Sequence, residues 1–185
     1  TSYQNFHKIY NVHQALRLRK SGKWEEAFPG PEASPVNPLT GIGGITQVSS
    51  MPNLKSLRWG ILGTGMIAKK FAGDLPHSNS GVLAGAASRS MDTAQSFADE
   101  FGGEAFEGYD SLLSSDEIDA VYISLPNILH REWTEKSLSA GKHVLCEKPM
   151  ALNSEDAQAM FVHAEKCDRV LIEAFMYRAH PQTKK

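Results

Sequence analysis

The sequence predicts an α/β fold, a doubly wound parallel sheet with helices on both faces. Three observations predict it. From Leu57 onward, short apolar runs alternate with segments whose apolar residues recur at helical spacing. The runs are apolar at consecutive rather than alternate positions, as in strands covered on both sides. The first run ends in glycines spaced for a phosphate-binding turn, Gly63-Thr64-Gly65.

Leu57-Arg58-Trp59-Gly60-Ile61-Leu62 reads as the first strand, buried and parallel. Residues 66–75 then read as a helix, with Ile67, Phe71 and Leu75 on one stripe and Ala68 and Ala72 beside them. Val82-Leu83-Ala84-Gly85-Ala86-Ala87 is the second strand. Ser90 is placed to cap the next helix, whose inner face is Ala94, Phe97, Ala98 and Phe101 and whose stop is Gly102. A short strand near Ala105-Phe106 and a short helix over 111–114 follow. Residues 120–125 form the fourth strand, ended by Pro126, which cannot donate to a ladder. Residues 130–140 read as a helix closed by Gly141, and His143-Val144-Leu145-Cys146 as the fifth strand. Ser154 is expected to cap a helix reaching Lys166, with Ala157, Met160, Phe161 and Ala164 facing inward. Residues 169–175 are the sixth strand. Repeated βα units of this kind imply right-handed crossovers.

Residues 1–50 differ in character. A helical patch over 13–28 is followed by Pro29, Pro31, Pro35 and Pro38, then Gly41, Gly43 and Gly44. This punctuation predicts an N-terminal extension that is linker or disordered. Gly41-Ile42-Gly43-Gly44 has no strand before it or helix after it, so it does not read as a phosphate loop. The first residue is Thr1, and the change at Met51 marks that residue as a natural start. The expected organisation is an extension over 1–50, a dinucleotide-binding domain over 51–178, and the start of a junction over 179–185.

The 185 residues give room for one ordinary domain and an appendage. With 41% apolar and 22% charged residues and a formal net charge of -2, the chain has the balance of a globular protein without a strong field for nucleic acid or anionic membrane. Cys146 and Cys167 form no disulfide framework and read as small hydrophobes in a reducing compartment. There is no apolar run of membrane-spanning length and no signal-peptide pattern, so a cytoplasmic location is expected. The histidines lack zinc-ligand spacing, and no metal is expected.

Gly63-Thr64-Gly65-Met66-Ile67-Ala68 is the G-x-G-x-x-A form of the Rossmann fingerprint. Gly63 permits the tight turn, Gly65 lets the backbone approach a pyrophosphate, and Ala68 lets helix pack on strand. The helix N-terminus favours the anion. The second strand ends in Ser88-Arg89-Ser90 rather than the carboxylate that binds the 2′-hydroxyl of NAD. A serine hydroxyl and a guanidinium there suit the 2′-phosphate of NADP.

Five motifs in order resemble the Gfo/Idh/MocA oxidoreductases. They are Leu62-Gly63-Thr64-Gly65-Met66-Ile67-Ala68, Ser88-Arg89-Ser90, Pro126-Asn127 with His130, Glu147-Lys148-Pro149, and Glu173-Ala174-Phe175-Met176-Tyr177-Arg178. The dihydrodiol/xylose dehydrogenase-like branch is the most similar. The resemblance implies an NAD(P)-dependent dehydrogenase or reductase that moves hydride between NADP (preferred) or NAD and a sugar, polyol or related carbonyl. It implies Lys148 as the catalytic residue near the nicotinamide, where an ammonium stabilises charge developing on the substrate oxygen. It implies cofactor contacts at Gly63, Thr64, Gly65, Met66, Ile67, Ser88, Arg89, Pro126, Asn127, His130, Glu147, Lys148 and Arg178. Tyr177 and His180 match no proton-donor motif. The family's second α/β domain, with its open sheet, substrate pocket, proton donor and oligomer interface, is absent from this chain, which reads as the cofactor half of a homo-oligomeric enzyme. The rival reading is a non-catalytic dinucleotide-binding sensor or partner-binding module.

Overall fold

In the computed structural model the described residues are 56–78 and 81–175. The expectations for residues 1–50 and for Met176, Tyr177, Arg178 and His180 lie outside them. The described chain runs β1 (Leu57–Leu62), α1 (Met66–Asp74), β2 (Gly81–Ser88), α2 (Met91–Phe101), β3 (Glu104–Glu107), α3 (Tyr109–Leu113) and β4 (Ala120–Ile123). It continues through α4 (His130–Ser139), β5 (His143–Cys146), α5 (Ser154–Lys166) and β6 (Leu171–Glu173). Short 3₁₀ turns follow α1 (Leu75–His77) and precede α4 (Asn127–Leu129).

The strands form one six-stranded sheet in the order β3-β2-β1-β4-β5-β6, and every pairing is parallel. The order reverses between β1 and β4, so a crevice opens there at the strands' C-terminal ends. Successive side chains point to opposite faces, and each face has its own core. Trp59, Ile61, Tyr122 and Leu145 pack with Phe71, Ala72 and Leu75 of the α1 segment and Phe97 of α2. Leu62, Val121, Ile123, Val144 and Cys146 pack with Leu112, Trp133, Leu138 and Met160 of α3, α4 and α5. This two-sided burial is why the strands read as continuous apolar runs.

The strands are shorter than the apolar runs: β4 ends at Ile123 and β6 spans only Leu171–Glu173. Just beyond them single backbone bonds persist, from the Ser124 N–H to the Leu62 carbonyl and from the Ala174 N–H to that of Cys146. Gly102 and Gly141 stop their helices at φ +84° and +78°, a region that favours glycine. Two expected caps differ. Asn153, not Ser154, caps α5, its side chain accepting from the Asp156 N–H at 2.7 Å. Ser90 occupies the cap position of α2, but its hydroxyl pairs with that of Thr93 at 3.0 Å instead of a backbone N–H. Phe161 is also a correction. It is 47% exposed, because Met160 and Ala164 take the inward line of α5 and a residue one step on is turned by about 100°. Among the described residues, no helix is long and apolar enough to cross a membrane.

A candidate dinucleotide site at the switch point

The crevice is built first from the turn after β1. Gly63 has φ +91°, and its N–H donates to the Ala87 carbonyl of β2 at 3.0 Å. Gly65 takes the N-cap position of α1 with φ -73°, and no side chain caps the helix. A Cβ at Gly65 would meet no protein atom within 4 Å. The first turn of α1 therefore faces an opening, with its N–H groups and dipole directed to an anion. Ser124, just past β4, holds this turn in place. Its hydroxyl lies 3.0 Å from the Leu62 carbonyl and 3.1 Å from that of Gly63, and its N–H donates to the same Leu62 carbonyl.

The second wall follows β2. Ser88 is half-buried, its carbonyl accepting from Gly108 N–H at 2.7 Å, while Arg89, Ser90 and Thr93 are exposed. Together with Gly63, Thr64, Gly65, Tyr109, Ser124, Leu125 and Pro126 they line a cleft of about 630 Å³. Among the described residues no carboxylate lines it. A larger groove, about 750 Å³, lies elsewhere, lined by Asp116 and Lys142, which precede β4 and β5, together with Glu132, Lys136 and His163. It is at the strands' N-terminal ends, away from the glycine turn, and its opposite charges pair among themselves, as Lys136 does with Glu132 and Asp110.

The third wall follows β4 and β5. Pro126 and Asn127 are exposed beside the cleft, and Lys148 is exposed at the end of β5. Glu147 turns inward and is 8% exposed; the buried Tyr122 hydroxyl donates to its carboxylate. Burial, then the neighbouring Glu147 charge, pushes the Tyr122 phenol far up, which keeps it a donor. Phe71 stacks on Tyr122 with ring centroids 4.1 Å apart. Burial raises the Cys146 thiol to about 12, so it stays protonated within the core.

The structure thus brings Gly63, Thr64, Gly65, Ser88, Arg89 and Pro126 onto one cleft. Met66 stands at the same edge, 88% exposed, and Ile67 is half-buried behind it. His130 is fully buried and Glu147 nearly so, with polar atoms engaged by other protein groups. They sit beneath the surface that the other candidates form. Arg178 lies outside the described residues. Sequence reasoning missed Ser124, Thr93 and Tyr109. The signals were present: a small hydroxyl residue where β4 abuts the glycine turn, and a hydroxyl three residues after a helix cap. Tyr109 gave no signal, since it reaches the cleft through a tertiary contact, edge-on to Trp133 at 4.9 Å.

Residues 57–175 match the family described as "Oxidoreductase family, NAD-binding Rossmann fold", GFO_IDH_MocA. The chain belongs to this family. It is 42% identical over 133 residues to a dTDP-3,4-didehydro-2,6-dideoxy-alpha-D-glucose 3-reductase of Actinomadura kijaniata, covering 70% of this chain and 40% of that protein. It is 41% identical over 130 residues to D-xylose 1-dehydrogenase (NADP(+)) 2 of Haloferax volcanii, again covering 70% and 40%. Among solved structures it resembles KijD10, a 3-ketoreductase from A. kijaniata in complex with NADP. That match has a TM-score of 0.68 and 40% identity and covers 70% of this chain and 42% of that one. The chain therefore spans about 40% of the length of these relatives.

Proposed function

We propose that this chain carries the cofactor-binding part of an NADP(H)-dependent oxidoreductase acting on a sugar carbonyl or hydroxyl. The observation that carries the reading is the corner after β2. Ser88, Arg89, Ser90 and Thr93 line the cleft, and among the described residues no carboxylate does. That set recognises a 2′-phosphate and would leave the 2′-hydroxyl of NAD without its usual acceptor. Two relatives support it: the xylose dehydrogenase is named for NADP(+), and the KijD10 complex holds NADP. The sugar class rests on the same relatives, whose names specify a nucleotide-linked deoxysugar and xylose.

The residues present fit such a cofactor. The open space over Gly65 admits a pyrophosphate where any side chain would stand in the way. Pro126 and Asn127 border the nicotinamide end of the crevice, and Lys148 follows β5, the next strand. When bound, the nicotinamide supplies or accepts the hydride. Lys148 would place its ammonium against the substrate's carbonyl oxygen, lowering the cost of the charge that develops there on reduction. In the oxidising direction the same charge would ease loss of the alcohol proton. Glu147 cannot take the substrate itself, being turned into the domain under Tyr122.

The test is fluorescence titration with NADPH and NADH. A charge-assisted arginine–phosphate contact contributes about 1.5–3 kcal/mol, so tighter NADPH binding by about tenfold or more is expected. Arg89→Ala should abolish most of the difference. Equal affinities in the unmodified chain, untouched by Arg89→Ala, would refute the assignment.

A further inference from the structure

The turn that presents Lys148 has its main-chain polar groups held by side chains from three separate elements. The Lys148 N–H donates to Glu147 Oε2 at 3.1 Å, at the end of β5. The Met150 N–H donates to Glu173 Oε1 at 2.8 Å, from β6. Between them the Pro149 carbonyl lies 2.9 Å from Nδ1 of His130, the first residue of α4. The other ring nitrogen, Nε2, lies 2.8 Å from the carbonyl of Leu125, the residue before Pro126-Asn127. His130 is 0% exposed.

Both partners are amide carbonyls, which only accept. A neutral imidazole has one N–H, so it could make one of these bonds and would set a lone pair against the other oxygen. The ring that satisfies both carries a hydrogen on each nitrogen. The residues flanking Pro149 are held by two carboxylates, Glu147 and Glu173, and Lys148 is exposed. On the first turn of its own helix, Arg131 is already paired with Glu135 and Asp156.

We propose that His130 is a positioning residue: a doubly protonated brace that joins loop 125–127 to turn 148–150. It thereby sets where Asn127 and Lys148 stand at the nicotinamide end of the crevice. The inference rests on the reading of that end given above. It also explains why His130, expected at the cofactor, is buried: it acts on the two loops from beneath. Loss of the ring would let the loops separate while leaving the glycine turn and the Ser88–Arg89 corner, which belong to β1 and β2, as they are.

Two measurements on the 185-residue chain test it. The first is NMR of the ¹⁵N-labelled histidine rings at neutral pH. Two hydrogen-bonded N–H signals from His130 are expected, and a ring with one unprotonated nitrogen would overturn the proposal. The second compares two probes in His130→Asn: NADPH, which spans the crevice, and 2′,5′-ADP, which occupies only its adenosine side. NADPH affinity should fall by about tenfold, with 2′,5′-ADP affinity changed less than about twofold. Equal loss of both, as general structural damage would give, or loss of neither, overturns it. If the unmodified chain binds neither probe, the cofactor reading fails, and the ring signals alone decide the brace.

Discussion

Replacing Gly65 by alanine separates folding from binding at a single atom. Its backbone, φ -73° and ψ -178°, is open to any residue, and the added Cβ would touch no protein atom within 4 Å. Removing a glycine at an unstrained site narrows the unfolded ensemble and stabilises by about 0.4–1 kcal/mol, but alanine is a poorer N-cap than glycine by a similar amount. The two effects offset, so for a domain of this size Tm should shift by less than about 3 °C. Binding, by contrast, should fall clearly. The methyl projects about 1.5 Å into the space where a pyrophosphate meets the N-terminus of α1. Loss of one charge-assisted hydrogen bond costs about 1.5–3 kcal/mol, so NADPH affinity should fall about 10- to 150-fold. Gly63→Ala is the control. Its Cβ would lie 2.9 Å from Leu125 Cδ2 and 3.2 Å from Ser124 Oγ, at φ +91°. The backbone term alone costs about 1–2 kcal/mol, so this variant should melt several degrees lower. Thermal unfolding by circular dichroism and NADPH titration by fluorescence read both effects. A Gly65→Ala protein that binds NADPH with unchanged affinity, or melts as low as Gly63→Ala, would refute the reasoning.

In a catalytically competent protein containing this domain, Lys148→Ala should lower kcat by at least about 100-fold and change the NADPH Kd by less than about fivefold. An ammonium that matters only as the substrate oxygen gains charge contributes to the transition state and not to cofactor binding; steady-state kinetics beside fluorescence titration checks this. Asp119 should give an acid-dependent stability. Burial would raise its carboxyl, but hydrogen bonds from the Arg58 side chain and N–H outweigh that and hold it below the ordinary range. A lowered folded value means the contribution is complete above the unfolded value of about 3.9 and fades as pH falls through the folded one. The stability difference between the unmodified chain and Asp119→Asn, from urea denaturation, should be level from about pH 5 to 8 and shrink below about pH 4. A difference that grew on acidification would contradict the pairing.

How far the sequence could be read follows from which signals are local. Strands covered on both faces write long apolar runs, and the glycines at 63, 102 and 141 mark turns through their own backbone needs, so element order and sheet class were legible. Strand ends were less so, because an apolar run does not say where the ladder stops: Leu125 and Val170 are buried yet outside any strand. Caps were misplaced by one residue or one partner, since Asn153 and Ser154 are equally good N-caps by type and the choice is made by backbone angle. At the site, residues that present backbone or charge from a loop were legible from motif alone. The roles of His130, Glu147 and Ser124 were not. Each acts on a segment far away in the chain, as the Ser124 hydroxyl does on carbonyls 61 and 62 residues earlier. Only the parallel pairing of β4 beside β1 brings such groups together.

The same pairing divides labour between the two ends of the sheet. Parallel strands enter together at one end, and there the chain closes polar groups upon itself. Arg58 donates to both carboxylate oxygens of Asp119 at 2.8 and 3.0 Å, Lys142 Nζ to the Ser115 carbonyl at 2.7 Å, and Arg169 Nε to the Gly141 carbonyl at 2.6 Å. Burial lowers the Lys142 ammonium, as expected where a cation is desolvated to tie a loop. At the other end β1 to β5 each lead toward a helix start, so N–H groups and dipoles point outward together, and the side chains that hold the loops are drawn beneath the surface. Tyr122, Glu147, His130, Glu173 and Ser124 take carbonyls, N–H groups or each other, leaving Gly65, Arg89 and Lys148 exposed. Arg58, Lys142 and Arg169 at the entry end are therefore satisfied by the fold alone. At the exit end the satisfied residues form a platform, and those left exposed above it are the ones a ligand can reach.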